Sequence, residues 1–237
     1  MAELFISDLH LSPHEPGRVR LFLDFLAGPA RDAARLTILG DLFDYWAGDD
    51  DLADPFNARI VAALRKLSDS GVRLDFMAGN RDFLIGEEFA SAAGLTLLPD
   101  PCVRDIGGVK TLLTHGDTLC TDDPDYQRFR AQVRDPAWRS AFLARPLPER
   151  KREIEALRAR SEAEKKTKSM AIMDVNAAAV SATLSEHGAQ AMIHGHTHRQ
   201  GRHDHAGCTR WVLGDWHTGR GNALVCDLAG WHWLSIT

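Results

Sequence analysis

The stretch LFISDLH at residues 4–10 decides how the fold begins, because a short apolar run stops abruptly at polar residues. Leu4 to Ile6 has the length and composition of a buried strand, and Asp8 and His10 follow it directly. In an extended backbone, residues two positions apart point to the same face, so both side chains can reach one ion. The segment therefore predicts a strand whose carboxyl end carries metal ligands.

Four further apolar runs end in the same way, each at a residue with an oxygen or imidazole side chain. The runs at 36–39, 72–78, 110–113 and 189–193 are followed by Asp41, Asn80, His115, and the pair His196 and His198. Carboxylate, amide and imidazole groups suit divalent ions such as Mn²⁺, Mg²⁺, Fe or Zn. Because this ligand set exceeds the need of a single ion, it predicts a two-metal site with a bridging carboxylate.

The order of these elements predicts an α/β fold. Strands alternate with helical patterns in the first half, whereas hairpins dominate later, beginning with the turn at Gly107 and Gly108. This order predicts two mixed β-sheets packed as a sandwich and flanked by helices. The ligands then lie at the carboxyl edge of the strands, where sites form in open α/β sheets. His203 and His205 are expected in a hairpin loop.

One segment does not fit the strand pattern. Residues 122–187 read as helices broken near Pro146 and Pro148, and we interpret them as a helical cap inserted in a single domain spanning 1–237. Within 134–168, 11 basic residues outnumber six acidic ones. The cap is therefore expected to be basic on an otherwise acidic protein.

Composition excludes several classes of protein. The 237 residues are 44% apolar with a net charge of −5, which argues against nucleic acid as a partner. No run approaches the length of a membrane-spanning helix, and the first residues do not resemble a secretory signal. The four cysteines include no CxxC pair, which favours free thiols in a reducing cytoplasm.

Taken together, the motifs resemble those of the calcineurin-like metallophosphoesterase family. The shared features are D-x-H, G-D-x-x-D, G-N-R-D, an isolated histidine before glycine, and G-H-x-H, in this order along residues 6–215. The resemblance implies one metal held by Asp8, His10, Asp41 and His198. It implies a second metal held by Asp41, Asn80, His115 and His196, so that Asp41 bridges the two ions.

The arginine after Asn80 indicates one branch within the family. Arg81 in GNRDF, with GDLFDYW at 40–46 and THGD at 114–117, is similar to the bacterial branch of the family that cleaves UDP-2,3-diacylglucosamine in lipid A biosynthesis. That branch implies two Mn²⁺ ions, catalytic roles for Arg81, Asn80 and His115, and attack of metal-activated water on the α-phosphorus. It implies peripheral association with the cytoplasmic side of the inner membrane, and it implies no protein partner.

The same resemblance implies contacts to the substrate. The expected residues are Asn80, Arg81, Asp123, Tyr126, Ser161, Lys165, Lys168 and His196. Two aromatic pairs at helical spacing, Tyr126 with Phe129 and Trp138 with Phe142, either line a trough for acyl chains or belong to the ordinary core. The basic residues of the cap either contact phosphates or a membrane surface, or form a solvated helix face.

Other interpretations remain open at this stage. Another two-metal phosphoesterase, such as a dinucleoside polyphosphate hydrolase or a phosphodiesterase, would keep the metal ligands and change the cap. A binding module of the same fold that has lost its activity would lack ligands, whereas here all are present. Arg81 either stabilises charge on the substrate or forms a structural salt bridge with Asp82.

Overall fold

The computed structural model describes residues 2–165, 174–205 and 207–237. Its strands are Ala2–Ile6 (β1), Ala33–Leu39 (β2), Arg73–Met77 (β3), Leu95–Leu98 (β4), Cys102–Ile106 (β5), Val109–Leu113 (β6), Ala191–His194 (β7), Gly201–His205 (β8), Cys208–Val212 (β9), Gly221–Asp227 (β10) and Gly230–Ile236 (β11). Its α-helices are Pro16–Ala27 (α1), Pro55–Asp69 (α2), Glu87–Ala93 (α3), Pro124–Arg134 (α4), Pro136–Leu143 (α5), Leu147–Lys165 (α6) and Ala177–His187 (α7).

The strands form two mixed sheets, as the sequence predicts. The first sheet has the order β11-β10-β1-β2-β3-β4, and the second has the order β5-β6-β7-β9-β8. Strands β1 to β4 run parallel to one another, and so do β6, β7 and β9. Antiparallel strands complete both sheets. The carboxyl ends of the central parallel strands therefore meet at one edge, where the predicted ligands lie.

Successive side chains of each strand point to opposite faces of its sheet, and this alternation builds the packed layers of the fold. In β1, Leu4 and Ile6 pack into the largest core cluster with α1, α2 and α3, whereas Phe5 packs between the two sheets. On the far side of the second sheet, Leu112 and Met192 pack against α7. The period of two residues in a strand places successive side chains on opposite faces, so each sheet has two buried faces.

Local sequence signals explain where several helices begin. Proline occupies a first-turn position in α1, α2, α4 and α5, where its missing N–H is no loss. Asp54, Asp123 and Asp135 precede three of these helices, and their side chains accept hydrogen bonds from first-turn backbone N–H groups. Asp123 and Asp135 thereby define helix boundaries in the segment 122–187 that was expected to be helical.

Two strands were not indicated by the sequence. His203 and His205 lie in β8, which pairs with β9, and the prediction of a loop was therefore wrong. Strand β8 is an edge strand with largely exposed residues, so neither face needs apolar side chains and the alternating signal is absent. Strand β4 is a four-residue edge strand parallel to β3.

Candidate metal centre

The backbone at five candidate ligands adopts a conformation that residues other than glycine rarely use. Positive φ angles of 54°, 47°, 53°, 67° and 58° occur at Asp8, His10, Asp41, His196 and His198. No other non-glycine residue in the described part of the chain has a positive φ. Left-handed backbone is uncommon outside glycine, although aspartate and histidine are enriched among the exceptions, and it persists only where the surrounding structure holds it. Its concentration at the strand ends marks this edge as the candidate functional site.

Hydrogen bonds between the strand-end loops hold these conformations. The backbone N–H of Asp8 donates to Gly40 O at 3.1 Å, and that of His10 donates to Asp41 O at 2.9 Å. In the second sheet, Gly195 N donates to His115 O at 2.9 Å. These bonds join the loops after β1 and β2 to each other, and likewise the loops after β6 and β7.

Asp82 ties two of the loops together. Its fully buried carboxylate accepts hydrogen bonds from Leu42 N at 2.7 Å and Gly79 N at 2.9 Å, with longer ones from Asp41 N and Phe43 N. Asp82 thereby satisfies backbone donors from the loops after β2 and β3. This role gives the buried carboxylate of Asp82 a structural function.

One cluster of ligand atoms forms around Asp8. The Oδ1 atom of Asp8 lies 3.4 Å from His198 Nε2, which lies 3.3 Å from His10 Nε2. The buried Asp8 Oδ1 accepts no hydrogen bond from the described residues. A buried carboxylate oxygen beside two converging imidazole nitrogens is an arrangement that a divalent cation satisfies.

A second cluster forms around Asn80. Its Oδ1 lies 2.9 Å from His196 Nδ1 and 3.0 Å from His115 Nε2. On the opposite side of the His115 ring, Nδ1 lies 2.8 Å from Leu39 O, so a proton on Nδ1 leaves Nε2 free to act as a ligand. Amide oxygen and neutral imidazole are again ligands for a divalent ion.

Asp41 lies between the two clusters. Its Oδ1 is 3.8 Å from His115 Nε2, and its Oδ2 is 3.8 Å from His10 Nδ1. Each oxygen of the Asp41 carboxylate therefore faces a candidate ligand residue of a different cluster, which makes Asp41 the candidate bridging ligand. Groups of three candidate ligands meet within 4.8 Å at Asp8, His10 and His198, and again at Asp8, Asp41 and His115.

The electrostatics of the site show how crowded the charges are. Burial, reinforced by the neighbouring carboxylates Asp82 and Asp8, raises the pKa of Asp41 to about 7. Burial works to lower the pKa of His115, but the carboxylates of Asp41 and Asp117 outweigh it and raise that pKa to about 9. Positive charge is thus favoured next to Asp41, and a divalent ion supplies it.

Asp215 is a functional candidate that the sequence analysis did not select. Its Oδ2 lies 3.3 Å from His198 Nδ1 and 2.9 Å from His217 Nε2. A carboxylate on the far side of a ligating imidazole orients the ring and fixes its tautomer. Gly214 and Asp215 follow β9, repeating the glycine–aspartate pattern after β2, and this was the available signal.

Arg81 lies at the same edge. Its backbone N–H donates to Asp41 Oδ1 at 2.8 Å, and its half-buried side chain carries a charge close enough to contribute to the lowered pKa of His10. Burial is the main cause of that lowering, with carboxylate Asp8 opposing it. The backbone of Arg81 therefore lies next to the carboxylate of Asp41, at the edge that carries the candidate ligands.

The structure brings some of the expected substrate contacts to the site and leaves others undescribed. Tyr126 lies over His196, with ring centroids 5.9 Å apart, and Asp123 caps helix α4 by accepting from Tyr126 N at 3.1 Å. Ser161 and Lys165 lie near the end of α6, where only the backbone is described. Lys168 lies outside the described residues.

The structure assigns one of the two aromatic pairs, Trp138 with Phe142, to the core. Phe142 is buried in the largest core cluster and stacks on Trp138 with ring centroids 4.8 Å apart, so this pair belongs to the core. Tyr126 is oriented by a hydrogen bond from its hydroxyl to Asp117 at 2.9 Å. Phe129 remains 39% exposed.

Several basic residues of α6 pair within the protein. Arg150 is buried, donates to Ala47 O at 2.5 Å and forms an ion pair with Asp50. Similarly, Lys151 lies 2.7 Å from Asp51. Arg158 pairs with Asp44 and lies over the ring of Tyr45. These residues attach α6 to the acidic loop after β2, rather than forming a solvated face or a free phosphate-binding patch.

None of the helices within the described ranges is long and apolar enough to cross a lipid bilayer.

Comparison with known proteins identifies a matching family and several similar relatives that share one name. A family model described as calcineurin-like phosphoesterase matches residues 3–200. A UDP-2,3-diacylglucosamine hydrolase of Aromatoleum aromaticum is 55% identical over 221 residues, covering 92% of this chain and 90% of the relative. Proteins of the same name from Edwardsiella ictaluri and Escherichia coli (strain K12 / DH10B) are 48% and 50% identical, covering 100% and 92% of this chain and 92% of each relative.

Proposed function

This chain belongs to the calcineurin-like phosphoesterase family, and we propose that it hydrolyses the pyrophosphate bond of UDP-2,3-diacylglucosamine. The products are UMP and 2,3-diacylglucosamine 1-phosphate, known as lipid X, an intermediate of lipid A biosynthesis. The observation that carries the proposal is the alignment of nearly the whole chain, at 48–55% sequence identity, with relatives that are named UDP-2,3-diacylglucosamine hydrolase. The converging ligand clusters support hydrolysis at phosphorus.

The residues present fit a two-metal site. The proposed ligands of one ion are Asp8, His10, Asp41 and His198, and those of the other are Asp41, Asn80, His115 and His196. The orphaned Asp8 Oδ1 and the division of the Asp41 oxygens between clusters support this assignment. We propose that both ions are Mn²⁺, which accepts this mixture of oxygen and imidazole ligands. Two bound divalent ions supply Lewis acidity to the phosphoryl oxygens and make water acidic enough to react at neutral pH.

The chain's own residues orient the reaction. We assign Arg81 to the non-bridging phosphoryl oxygens, because its backbone N–H binds Asp41 and its half-buried side chain therefore starts at the ligand edge. Asn80 and His115 hold the other side of the site, where the Leu39 carbonyl fixes the His115 ring. Water attacks the α-phosphorus, a new P–O bond forms, and the bond from that phosphorus to the bridging anhydride oxygen breaks. Lipid X leaves with the bridging oxygen.

The cap supplies some of the substrate contacts in this proposal, and the ligand loops supply the others. Residues 122–187 form it, and the side chains assigned to the substrate are Asn80, Arg81, Asp123, Tyr126, Ser161, Lys165, Lys168 and His196. The ion pairs between α6 and the loop after β2 support the assignment, because the same loop carries Asp41. An acylated substrate resides in a bilayer, so we propose peripheral association with the cytoplasmic face of the inner membrane.

The test is an assay of UMP release from UDP-2,3-diacylglucosamine in detergent micelles with Mn²⁺. We expect turnover that is lost on chelation and in Asp41→Asn. In ¹⁸O-labelled water the label should enter UMP, because attack occurs at the α-phosphorus. Label in lipid X would overturn the assigned point of attack. Cleavage of an aryl phosphodiester or a dinucleoside polyphosphate, without UMP release from the lipid, would overturn the assigned substrate.

A further inference from the structure

Helix α4 binds the strand-end loops through one face. Tyr126, Arg130 and Arg134 recur every four residues, which places them along one side of the helix. With Gln127, they make the hydrogen bonds that join α4 to the loops after β3 and β6. The face is therefore committed to the body of the protein.

Asp117 is the centre of this attachment. Its fully buried carboxylate accepts hydrogen bonds at Oδ2 from the hydroxyl of Tyr126 at 2.9 Å and from Arg130 Nε at 2.8 Å. Its carbonyl oxygen accepts from Gln127 Nε2 at 2.8 Å. A buried carboxylate is costly unless it is paired, so charge and hydrogen bonds fix where α4 lies.

The same face reaches the second ligand cluster by three routes. Asp117 is two residues beyond His115 in the same loop. Arg134 Nη2 donates to Gly79 O at 2.8 Å, immediately before Asn80. The Tyr126 ring is tilted by 28° from the plane of His196 and stacks on it. Each ligand proposed for the second ion other than Asp41 is thus adjacent to a contact of α4.

We propose that Asp117 is a positioning residue that couples helix α4 to the metal ion held by Asn80, His115 and His196. It does not touch the ion. It holds Tyr126 against the His196 ring and, through Arg130 and Gln127, keeps α4 seated on the loops that carry the other two ligands. Outer residues that orient ligands commonly govern metal affinity. The inference rests on the proposed two-metal site.

The consequence is selective: loss of the Asp117 carboxylate weakens one metal-binding step and spares the other. Asp117→Asn keeps the shape of the side chain but removes the charge that pairs with Arg130. Tyr126→Phe removes only the phenol oxygen and keeps the ring. Arg128→Gln is the matched control on the same helix, because Arg128 is exposed and pairs only with the exposed Asp125 among the described residues.

Calorimetric titration of Mn²⁺ into chelator-treated protein tests the inference. Comparison of the wild type with His196→Ala identifies which of the two metal-binding steps belongs to the second ion. We expect Asp117→Asn to weaken that step by about 10–100-fold and to leave the other step unchanged. Tyr126→Phe should weaken the same step by a smaller factor, and Arg128→Gln should weaken neither.

Equal weakening of both steps in a folded Asp117→Asn would overturn the inference, because it would show a general structural role. Unchanged steps would overturn it as well. If Asp117→Asn does not fold, as judged by circular dichroism, Tyr126→Phe decides between these outcomes. A wild type that binds fewer than two ions would instead remove the proposed two-metal site, and that result is visible before any variant is compared.

Discussion

The Oδ2 atom of Asp215 lies 3.3 Å from Nδ1 of His198, while Nε2 on the opposite side of that ring faces Asp8. Asp215 therefore orients the imidazole ring of His198, a proposed metal ligand, from the side of the ring opposite Asp8. The site has two such supports, since the Leu39 carbonyl does the same for His115. Ligand orientation is thus built into residues that need not touch the ion.

The first prediction concerns this support. Asp215→Asn should lower the affinity for the ion held by Asp8, His10 and His198 by about 10–100-fold, because the amide no longer fixes the tautomer of His198. Calorimetric titration with Mn²⁺ measures this change. His217→Gln is the control, since His217 contacts the same carboxylate from the half-exposed side and should alter affinity little. Wild-type affinity in Asp215→Asn would show that His198 does not depend on it.

The second prediction separates catalysis from metal binding at Arg81. Arg81→Ala should lower kcat by about 100–1,000-fold, because the guanidinium is assigned to charge that develops on the phosphoryl group. Metal content, measured by elemental analysis, should remain at the wild-type value. Arg81→Lys keeps a positive charge and should recover part of the activity. Loss of metal together with activity would mean that Arg81 supports the loop structure instead.

The third prediction compares two glycines with positive φ. A Cβ on Gly40 would lie 2.5 Å from His115 Nδ1 and 2.6 Å from Gly79 Cα, whereas one on Gly71 would meet nothing within 4 Å. Gly71→Ala should therefore cost about 1–2 kcal/mol of unfolding free energy from backbone strain alone. Gly40→Ala should cost about 1–3 kcal/mol more and should also displace His115.

Urea unfolding and metal analysis of these two variants give the comparison. We expect Gly40→Ala to lose metal and Gly71→Ala to retain it. Similar stability and metal content in both variants would show that the approach of the loops after β2 and β3 does not constrain the site.

The fourth prediction concerns pH and His194. This histidine is fully buried, and Arg210 Nη1 lies 3.0 Å from its Nε2, so burial and that cation lower its pKa to about 4. Unfolding returns the imidazole to an ordinary pKa of 6.5, so the unfolded chain binds the extra proton between these values. The contribution of His194 to stability is present above pH 6.5 and is lost as the pH falls towards 4.

Urea unfolding of chelator-treated protein between about pH 7 and about pH 5 tests this assignment. The total contribution is on the order of 3 kcal/mol, because each unit of pKa shift corresponds to about 1.4 kcal/mol. His194→Asn should be less stable at neutral pH. Its unfolding free energy should also fall less steeply as the pH falls, because unfolding of the variant takes up as much as one proton fewer. An identical slope in the variant and the wild type would contradict the assigned shift.

The sequence by itself predicted the two mixed sheets, the strand ends and the set of candidate ligands. These features are local: apolar runs define buried strands, and the polar residue that follows each run is visible without knowing its neighbours in space. Strand β8 was not predicted, because an exposed edge strand has no buried face that would require alternating apolar and polar residues.

Tertiary structure alone decided how the ligands are supported. Asp117 meets residues of α4 nine to thirteen positions away, Asp215 meets His198 across 17 positions, and Arg150 meets Asp50 across 100. No fixed spacing signals these pairs, because they arise only when separate loops and helices pack together. Metal ligands follow from the chemistry of single strand ends, whereas their orientation follows from buried charges that find partners only in the folded chain.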